Sequence, residues 1–271
     1  MSFSGQTAWI TGASSGIGAA LARALARQGA RLVLSGRNIA ALEGVAADCG
    51  AALVLPFETS DMAAIGPAVD AAWNWSGGID MLVNNAGISQ RSLAVDTAMA
   101  VYERIIGVDL LAPIALTQAI LPRMAQRGSG RIVMISSIAG KVGVPLRTAY
   151  SAAKFGLIGY ADALRAEVSQ AGLKVHVVAP GSIRTDVSRN ALTGDGSPRN
   201  ASDKAIDNGI DPDVAVAEML SAIANDEREI IIATGAEQAM GELRRTPDAL
   251  FDQIAAMMVA GYADKMKAEG N

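Results

Sequence analysis

A glycine-rich segment near the N-terminus places the strongest constraint on how this chain folds. Residues 11–18 read TGASSGIG, directly after the short apolar strand 8–10. Ile17, Leu21 and Leu25 recur behind it at helical spacing, so the glycines occupy a strand-to-helix turn. Such a turn presents backbone N–H groups and the positive end of a helix to a phosphate, and glycine permits close approach. The segment predicts a nucleotide-binding turn, with an ordinary structural turn as the alternative.

A second pattern lies near the middle of the chain. Tyr150 and Lys154 are four residues apart, which places both side chains on one face of a helix, where the ammonium favours the deprotonated phenol. The apolar run 132–135 predicts a buried strand that ends beside Ser137. Because buried parallel strands present functional groups at their carboxyl ends, we expect Ser137 and Tyr150 to face one crevice. The alternative is a surface helix with an unrelated Tyr–Lys pair.

Apolar strands and helical periods alternate through the 271 residues, and no Pro/Gly/Ser-rich linker divides them. This pattern predicts one Rossmann-type domain over residues 1–271, an α/β fold with a single doubly wound parallel sheet of about seven strands and helices on both faces. Later strands are expected at 175–178 and 229–233. Hydrophobic residues make up 51% of the chain, which is ample for a large core.

Five motifs in a fixed order resemble the short-chain dehydrogenase/reductase family, from Thr11 to about Thr185. They are TGxxxGxG at 11–18, NNAG at 84–87, Ser137, YxxxK at 150–154 and PGSIRT at 180–185. The resemblance implies an NADP(H)-dependent oxidoreductase that interconverts a carbonyl and an alcohol by hydride transfer. It implies that Tyr150 is the acid/base, that Ser137 polarises the substrate oxygen, and that Lys154 acts on Tyr150 and binds the nicotinamide ribose.

The same resemblance implies a set of cofactor-binding residues along these motifs. They are Gly12, Ser14, Ser15, Gly16, Ile17, Gly18, Arg37, Glu58, Asn85, Ala86, Gly87, Tyr150, Lys154, Pro180, Gly181, Ile183 and Thr185.

One position departs from the family pattern. Family members usually carry an Asn in the helix after the fourth strand, where it completes a proton relay, and this chain has Asp109 there. If the relay uses the backbone carbonyl, Asp serves as well as Asn, but a carboxylate cannot donate the hydrogen bond of an amide. We expect Asp109 to be a fourth catalytic residue, with a purely structural Asp as the alternative.

Cofactor choice is predicted from charge at the end of the second strand, 31–35. NAD sites of this type place an acidic residue there, whereas a nearby Arg accommodates the 2′-phosphate of NADP. Here Gly36 and Arg37 follow the strand, so NADP(H) is the expected cofactor in preference to NAD(H). Family members that use NADP often have a basic residue where this chain has Ser15. Glu58 lies where relatives have an Asp against the adenine.

Composition excludes several other classes. The formal net charge of −4 provides no basic field for nucleic acid or anionic lipid. The single Cys49 and single His176 predict no disulfide, no metal site and no Ser-His hydrolase. No signal peptide and no apolar run of roughly 18 residues is recognised, so we expect a cytoplasmic protein that contacts no membrane. The expected partners are a small-molecule carbonyl or alcohol and further copies of the chain, as a homodimer or homotetramer.

Three expectations remain open at this stage. The polar, glycine-containing segment from Asp186 to about Asp211 predicts a mobile lid that forms the substrate pocket together with residues 141–147. Residues 247–268 predict an amphipathic helix whose apolar residues lie on or near one face, namely Leu250, Ile254, Met257, Met258 and Tyr262. A non-catalytic NADP(H)-binding regulator on the same fold is the alternative function. The substrate itself is not predicted.

Overall fold

Seven parallel strands form one twisted sheet at the centre of the computed structural model, which describes residues 3–262. Their order is β3-β2-β1-β4-β5-β6-β7, so the predicted doubly wound fold is confirmed. Helices cover both faces, which is why the central strands are apolar throughout rather than alternating. The strands are β1 (Thr7–Thr11), β2 (Arg31–Ser35), β3 (Ala52–Val54), β4 (Met81–Asn84), β5 (Gly130–Ile135), β6 (Leu173–Pro180) and β7 (Glu229–Ile232).

Ten α-helices connect or follow these strands within residues 3–262. They are α1 (Gly16–Arg27), α2 (Ile39–Ala47), α3 (Met62–Ser76), α4 (Met99–Ile106), α5 (Ala112–Arg127), α6 (Thr148–Val168), α7 (Lys204–Asp207), α8 (Pro212–Ala224), α9 (Gly235–Leu243) and α10 (Asp248–Val259).

The core has two layers, one on each face of the sheet. In β1, Ala8 and Ile10 point toward α1 and α8, whereas the fully buried Trp9 points toward the layer that contains α3, α5 and α6. This alternation follows from the two-residue period of a strand. The indole Nε1 of Trp9 donates a hydrogen bond to Ser35 Oγ at 2.9 Å, so its only polar atom is satisfied in the core.

Residues 99–127 form one continuous helical stretch, because a π-helical turn at Gly107–Leu111 joins α4 to α5. By length and composition this stretch could span a membrane, which corrects the expectation that no segment is long enough. The core helix of a soluble protein meets the same criterion. Here α5 packs against α3 and α4 packs against α6, and 39% of the apolar 18-residue window is buried.

The C-terminal helix differs from its prediction. Helix α10 ends at Val259, and positions 263–268 of the predicted helix lie outside the described residues. Leu250 and Met257 are exposed, so they complete no core within the described residues, whereas Phe251 is buried. The Arg165 guanidinium lies 4.2 Å from the centre of the Phe251 ring. The prediction missed this anchor because the cation that Phe251 packs against comes from α6, which is distant in sequence.

A buried ion pair fixes the connection between β5 and α6. Lys141 donates from its ammonium to the carboxylate of Glu229 at the start of β7, and both side chains are at most 4% exposed. Glu229 Oε2 also accepts a hydrogen bond from the Thr246 amide at 2.6 Å. Lys141 therefore points into the protein, and none of residues 141–147 lines the cleft described below. This corrects the expectation that 141–147 forms the pocket wall.

We expect Glu229→Gln to lower the free energy of unfolding by about 3–5 kcal/mol, because it leaves the Lys141 ammonium buried without an opposite charge. The double variant Lys141→Met/Glu229→Gln removes that charge and should recover most of the loss. Urea denaturation measures both, with Asp226→Asn in the exposed Lys174 pair as a control that changes stability by less than about 1 kcal/mol. A small loss in Glu229→Gln would show that the pair contributes little.

Candidate active site

A cleft of about 890 Å³ opens at the carboxyl ends of the strands, where the strand order reverses between β1 and β4. Ligands of doubly wound sheets bind at this switch point. The volume lies within the range of cofactor and ligand sites. All but one of the residues predicted from sequence to bind cofactor or act in catalysis line this cleft, although they come from segments up to 173 residues apart in the chain, from Gly12 to Thr185.

The glycine-rich turn follows β1 as predicted. Gly12 has φ +65°, and a side chain there would lie 2.8 Å from the Ala86 backbone. Gly18 is the one predicted residue that does not line the cleft, since it packs α1 against the turn and a Cβ would lie 2.2 Å from Gly12 O. No side chain caps the N-terminus of α1 at Ser15. The first N–H groups of α1 are therefore open toward the cleft, which fits a pyrophosphate.

The segment after β4 braces this turn. Thr11 Oγ1 accepts hydrogen bonds from the Asn85 and Ala86 amides at 3.0 and 3.1 Å. Asn85 also donates from its side-chain Nδ2 to Thr11 O at 2.9 Å and to Gly12 O at 3.2 Å. The two motifs thus form one rigid floor, although 73 residues separate Gly12 from Asn85 in the chain.

The far end of the cleft carries the residues expected to meet the adenosine half of a dinucleotide. Arg37 and Glu58 both line it, and their side chains form an ion pair at 3.4 Å. Both side chains are well exposed, so the pair is weak and the guanidinium is free to exchange partners. Sequence reasoning missed neighbouring wall residues, among them Phe57 after β3 and Arg104 of α4. Arg104 carries no motif that would have revealed it.

Ser137, Tyr150 and Lys154 line the other end of the cleft together. Ser137 follows β5, where its Oγ accepts from the Ala139 amide at 3.1 Å and donates to Pro180 O at 3.3 Å. Tyr150 and Lys154 lie one turn apart in α6, and the Lys154 ammonium is 5.5 Å from the centre of the Tyr150 ring. The arrangement places a hydroxyl, a phenol and a cation around one space, the groups needed to move a proton at an oxygen.

Lys154 is held deep in the wall. Its Nζ donates to Ile135 O at 3.0 Å and lies 3.1 Å from Asp109 Oδ2. Burial disfavours the ammonium, but the Asp109 carboxylate and Tyr150 outweigh that effect and raise the pKa of Lys154. Lys154 therefore carries its positive charge at neutral pH.

Asp109 is fully buried in the π-helical turn, where the extra residue turns its side chain inward. Its Oδ1 accepts a hydrogen bond from the Ile88 amide at 2.8 Å. Burial raises the pKa of Asp109, and Lys154 and the Ile88 amide oppose that rise. The carboxylate accepts one hydrogen bond, from the Ile88 amide, and its Oδ2 faces the Lys154 ammonium as an ion pair, which a neutral amide would not provide.

Gln90 supports the helix that carries Tyr150, and no sequence pattern predicted this role. Helix α6 begins without a side-chain cap from its own N-cap residue, Arg147. The fully buried Gln90 supplies one, since its Oε1 accepts from the Ala149 amide at 2.9 Å and its Nε2 donates to Thr148 Oγ1 at 3.4 Å. It thereby fixes the first turn of the helix that carries Tyr150.

Residues 186–211, called the lid below, close the same end of the cleft. Leu192 pairs with the strand-like segment after β4, donating to Ser89 O and accepting from the Arg91 amide, both at 2.8 Å. Hydrogen bonds from Thr193 and Ser197 hold the pKa of Asp195 in the lid turn down to about 2. The wall here is mostly apolar and includes Ile88, Val187, Leu192, Pro198 and Ile206, with the polar Asn190 and the acidic Asp186 beside them.

A nucleotide-binding turn and a Ser-Tyr-Lys set on opposite ends of one cleft define an oxidoreductase of the dinucleotide-binding class. Comparison with known families identifies the particular one. The family model described as short chain dehydrogenase matches residues 6–195. The chain belongs to the short-chain dehydrogenase/reductase family.

Relatives of known sequence agree with this assignment. The chain is 40% identical to a dehydrogenase/reductase SDR family protein 7-like of Anopheles gambiae, over 91% of this chain and 81% of that protein. It is 37% identical to dehydrogenase/reductase SDR family member 7B of Danio rerio, over 91% and 83%.

Solved structures show the same fold. A short-chain dehydrogenase from Streptomyces avermitilis superposes with a TM-score of 0.78 at 28% identity, covering 96% of this chain and 99% of that one. A metagenomic short-chain oxidoreductase in complex with NADP has a TM-score of 0.70 at 33% identity, covering 84% and 97%. A nicotinamide-dependent oxidoreductase follows from these comparisons.

We expect Asp109→Asn to retain turnover, because the backbone at this position is unchanged. The alkaline limb of its pH–rate profile should move to lower pH, because the pKa of Lys154 then loses the rise that the Asp109 carboxylate gives it. Asp70→Asn, at an exposed carboxylate paired with Arg123, is the control. An unmoved profile would mean that Asp109 has only a structural role.

Proposed function

We propose that this protein is an NADP(H)-dependent enzyme that interconverts a carbonyl and an alcohol on a small molecule, with Tyr150 as the acid/base. The observation that carries the proposal is the meeting of Ser137, Tyr150 and Lys154 at one end of a cleft whose floor is the glycine-rich turn. A regulator that only bound the nucleotide would have no need of all three side chains there.

In this proposal, each side chain has a separate task. A bound nicotinamide supplies or accepts the hydride. Tyr150 gives the proton to the carbonyl oxygen in reduction and removes it in oxidation. Ser137 Oγ, which accepts from the Ala139 amide, turns its one hydroxyl proton from Pro180 O to that oxygen and holds it beside the phenol. Lys154, a buried cation one helical turn away, stabilises negative charge on the phenol oxygen.

The NADP(H) preference rests on Arg37. The end of β2 carries no carboxylate that would repel a 2′-phosphate, since Gly36 occupies that place. In this proposal, the phosphate replaces Glu58 as the partner of the Arg37 guanidinium, and a doubly charged phosphate is the stronger acceptor. A related oxidoreductase of 33% identity was solved in complex with NADP, which supports the assignment.

We expect Tyr150→Phe to lower turnover by roughly 10²- to 10⁴-fold, because it removes the proton donor and leaves the cleft otherwise intact. NADPH oxidation with a panel of ketones and aldehydes measures turnover, and fluorescence titration measures NADPH binding, which should be retained. Tyr160→Phe is the matched control, since Tyr160 lies on the same helix with its hydroxyl bonded to Gln118. NADPH binding without turnover in the unmodified protein would support the regulator instead.

We expect Arg37→Gln to weaken NADPH binding by roughly 10- to 100-fold and to leave NADH binding nearly unchanged, since only the 2′-phosphate contact is lost. Glu58→Gln should act in the opposite direction and tighten NADPH binding, because it frees the guanidinium of its competing partner. Equal losses for both nucleotides in Arg37→Gln would contradict the assigned phosphate contact.

A further inference from the structure

Three arginines share a single carboxylate next to the substrate end of the cleft. Arg91 and Arg199 lie 2.6 and 2.5 Å from the oxygens of Asp203, and Arg147 lies 3.5 Å away. Three guanidinium groups against one carboxylate leave an excess of positive charge. Among residues 3–262, no other acidic side chain forms an ion pair with these arginines.

The three arginines are not equivalent. Arg91 is 8% exposed in its side chain, and its N–H groups are used by Asp203, Ser89 Oγ and Gln90 O. Burial and the neighbouring Arg147 charge lower the pKa of Arg91, which shows that the cations repel one another. Arg91 and Asp203 therefore form the fixed base of the cluster.

Arg147 is the arginine of this cluster whose hydrogen-bond donors are unused within the described residues. Its guanidinium makes no hydrogen bond to any residue in the described range, and its one ionic contact is the 3.5 Å approach to a carboxylate that two other arginines already occupy. The side chain is 24% exposed, so it is largely removed from water and still reachable from it. Arginine donors in such a place call for an acceptor that the protein does not provide.

The cluster lies just outside the lining of the cleft, beside the wall residue Leu192, because the Arg91 amide donates to Leu192 O and the Arg199 amide to Ala191 O, both at 2.8 Å. Arg147 is the N-cap residue of α6, directly before the first turn of the helix that carries Tyr150. Arg199 directly follows the wall residue Pro198, and Asp203 is three residues before the wall residue Ile206. An anion held here would reach from the apolar lid wall toward the carbonyl position at Tyr150.

We infer that Arg147 and Arg199 form an oxyanion subsite that binds a carboxylate or phosphate carried by the substrate. This inference rests on the proposed function and narrows it to one substrate class. The carbonyl lies at Tyr150, an apolar middle section contacts the lid, and an anionic end group lies at the rim. Arg147 offers the bidentate fork that suits such a group, and the excess charge of the cluster attracts it.

Matched substrates test the subsite. A keto acid and its methyl ester, both with the carbonyl separated from the end group by an apolar chain, are compared by kcat/KM in NADPH oxidation. We expect the acid to be preferred, and Arg147→Gln to lower kcat/KM for the acid by roughly 10- to 100-fold while leaving the ester unchanged. Arg123→Gln removes the same charge from an exposed pair on α5 and should affect neither. Equal losses for acid and ester in Arg147→Gln would overturn the subsite, because Arg147 would then have only a structural role.

A binding measurement separates this inference from the proposed function, because it needs no turnover. Inorganic phosphate is titrated into the protein saturated with NADP⁺, with thermal stability as the readout and sodium chloride matching the ionic strength. We expect phosphate to stabilise the unmodified protein and Arg123→Gln, but not Arg147→Gln. Phosphate stabilisation that survives in Arg147→Gln would overturn the subsite, whatever the enzyme assay shows. An inactive protein that still binds phosphate through Arg147 would count against the oxidoreductase alone.

Discussion

The parallel pairing of β1 with β4 is the constraint on which the rest of the active site depends. At this pairing the connections begin to leave the sheet in opposite directions, so the loops after the two strands part and open a crevice. The chain then fastens the two loops to each other at the bottom of the crevice. Asn85 donates there from its backbone amide to the Thr11 hydroxyl and from its side-chain amide to Thr11 O, and no Cβ fits at Gly12. The floor is thus rigid before any ligand arrives, which lowers the entropic cost of binding one.

The second determinant of the active site is the charge balance between Lys154 and Asp109 in the wall of the cleft. A lone ammonium at Lys154 would be costly to bury, and the carboxylate of Asp109 makes it tolerable. The family pattern has an amide at this position, which carries no charge to balance the lysine. In this chain, the Asp109 carboxylate, which lies in the π-helical turn, partly neutralises the Lys154 ammonium beside Tyr150. The Asp is therefore part of the electrostatic design of the site.

The sheet and most of the candidate site were predictable because their signals are local. A strand period, a glycine-rich turn and a four-residue Tyr–Lys spacing each need only a short window of sequence. The misses are contacts between distant segments. The sequence analysis expected Lys141 in the pocket, but the residue pairs with Glu229 of β7. Phe251 is buried against Arg165 of α6. Gln90 carries no pattern at all, since its partners Thr148 and Ala149 lie 58 and 59 residues away.

The segment 89–92 connects the lid to helix α6, which carries Tyr150. On one side its backbone pairs with Leu192 of the lid, and on the other its Gln90 side chain caps α6 at Ala149, the residue before Tyr150. Arg91, between these contacts, joins Asp203 of the lid. A displacement of the lid therefore changes the support of the catalytic helix without a separate signalling element. Binding energy gained at the lid can in this way serve the positioning of the phenol, which is where an enzyme gains rate rather than affinity.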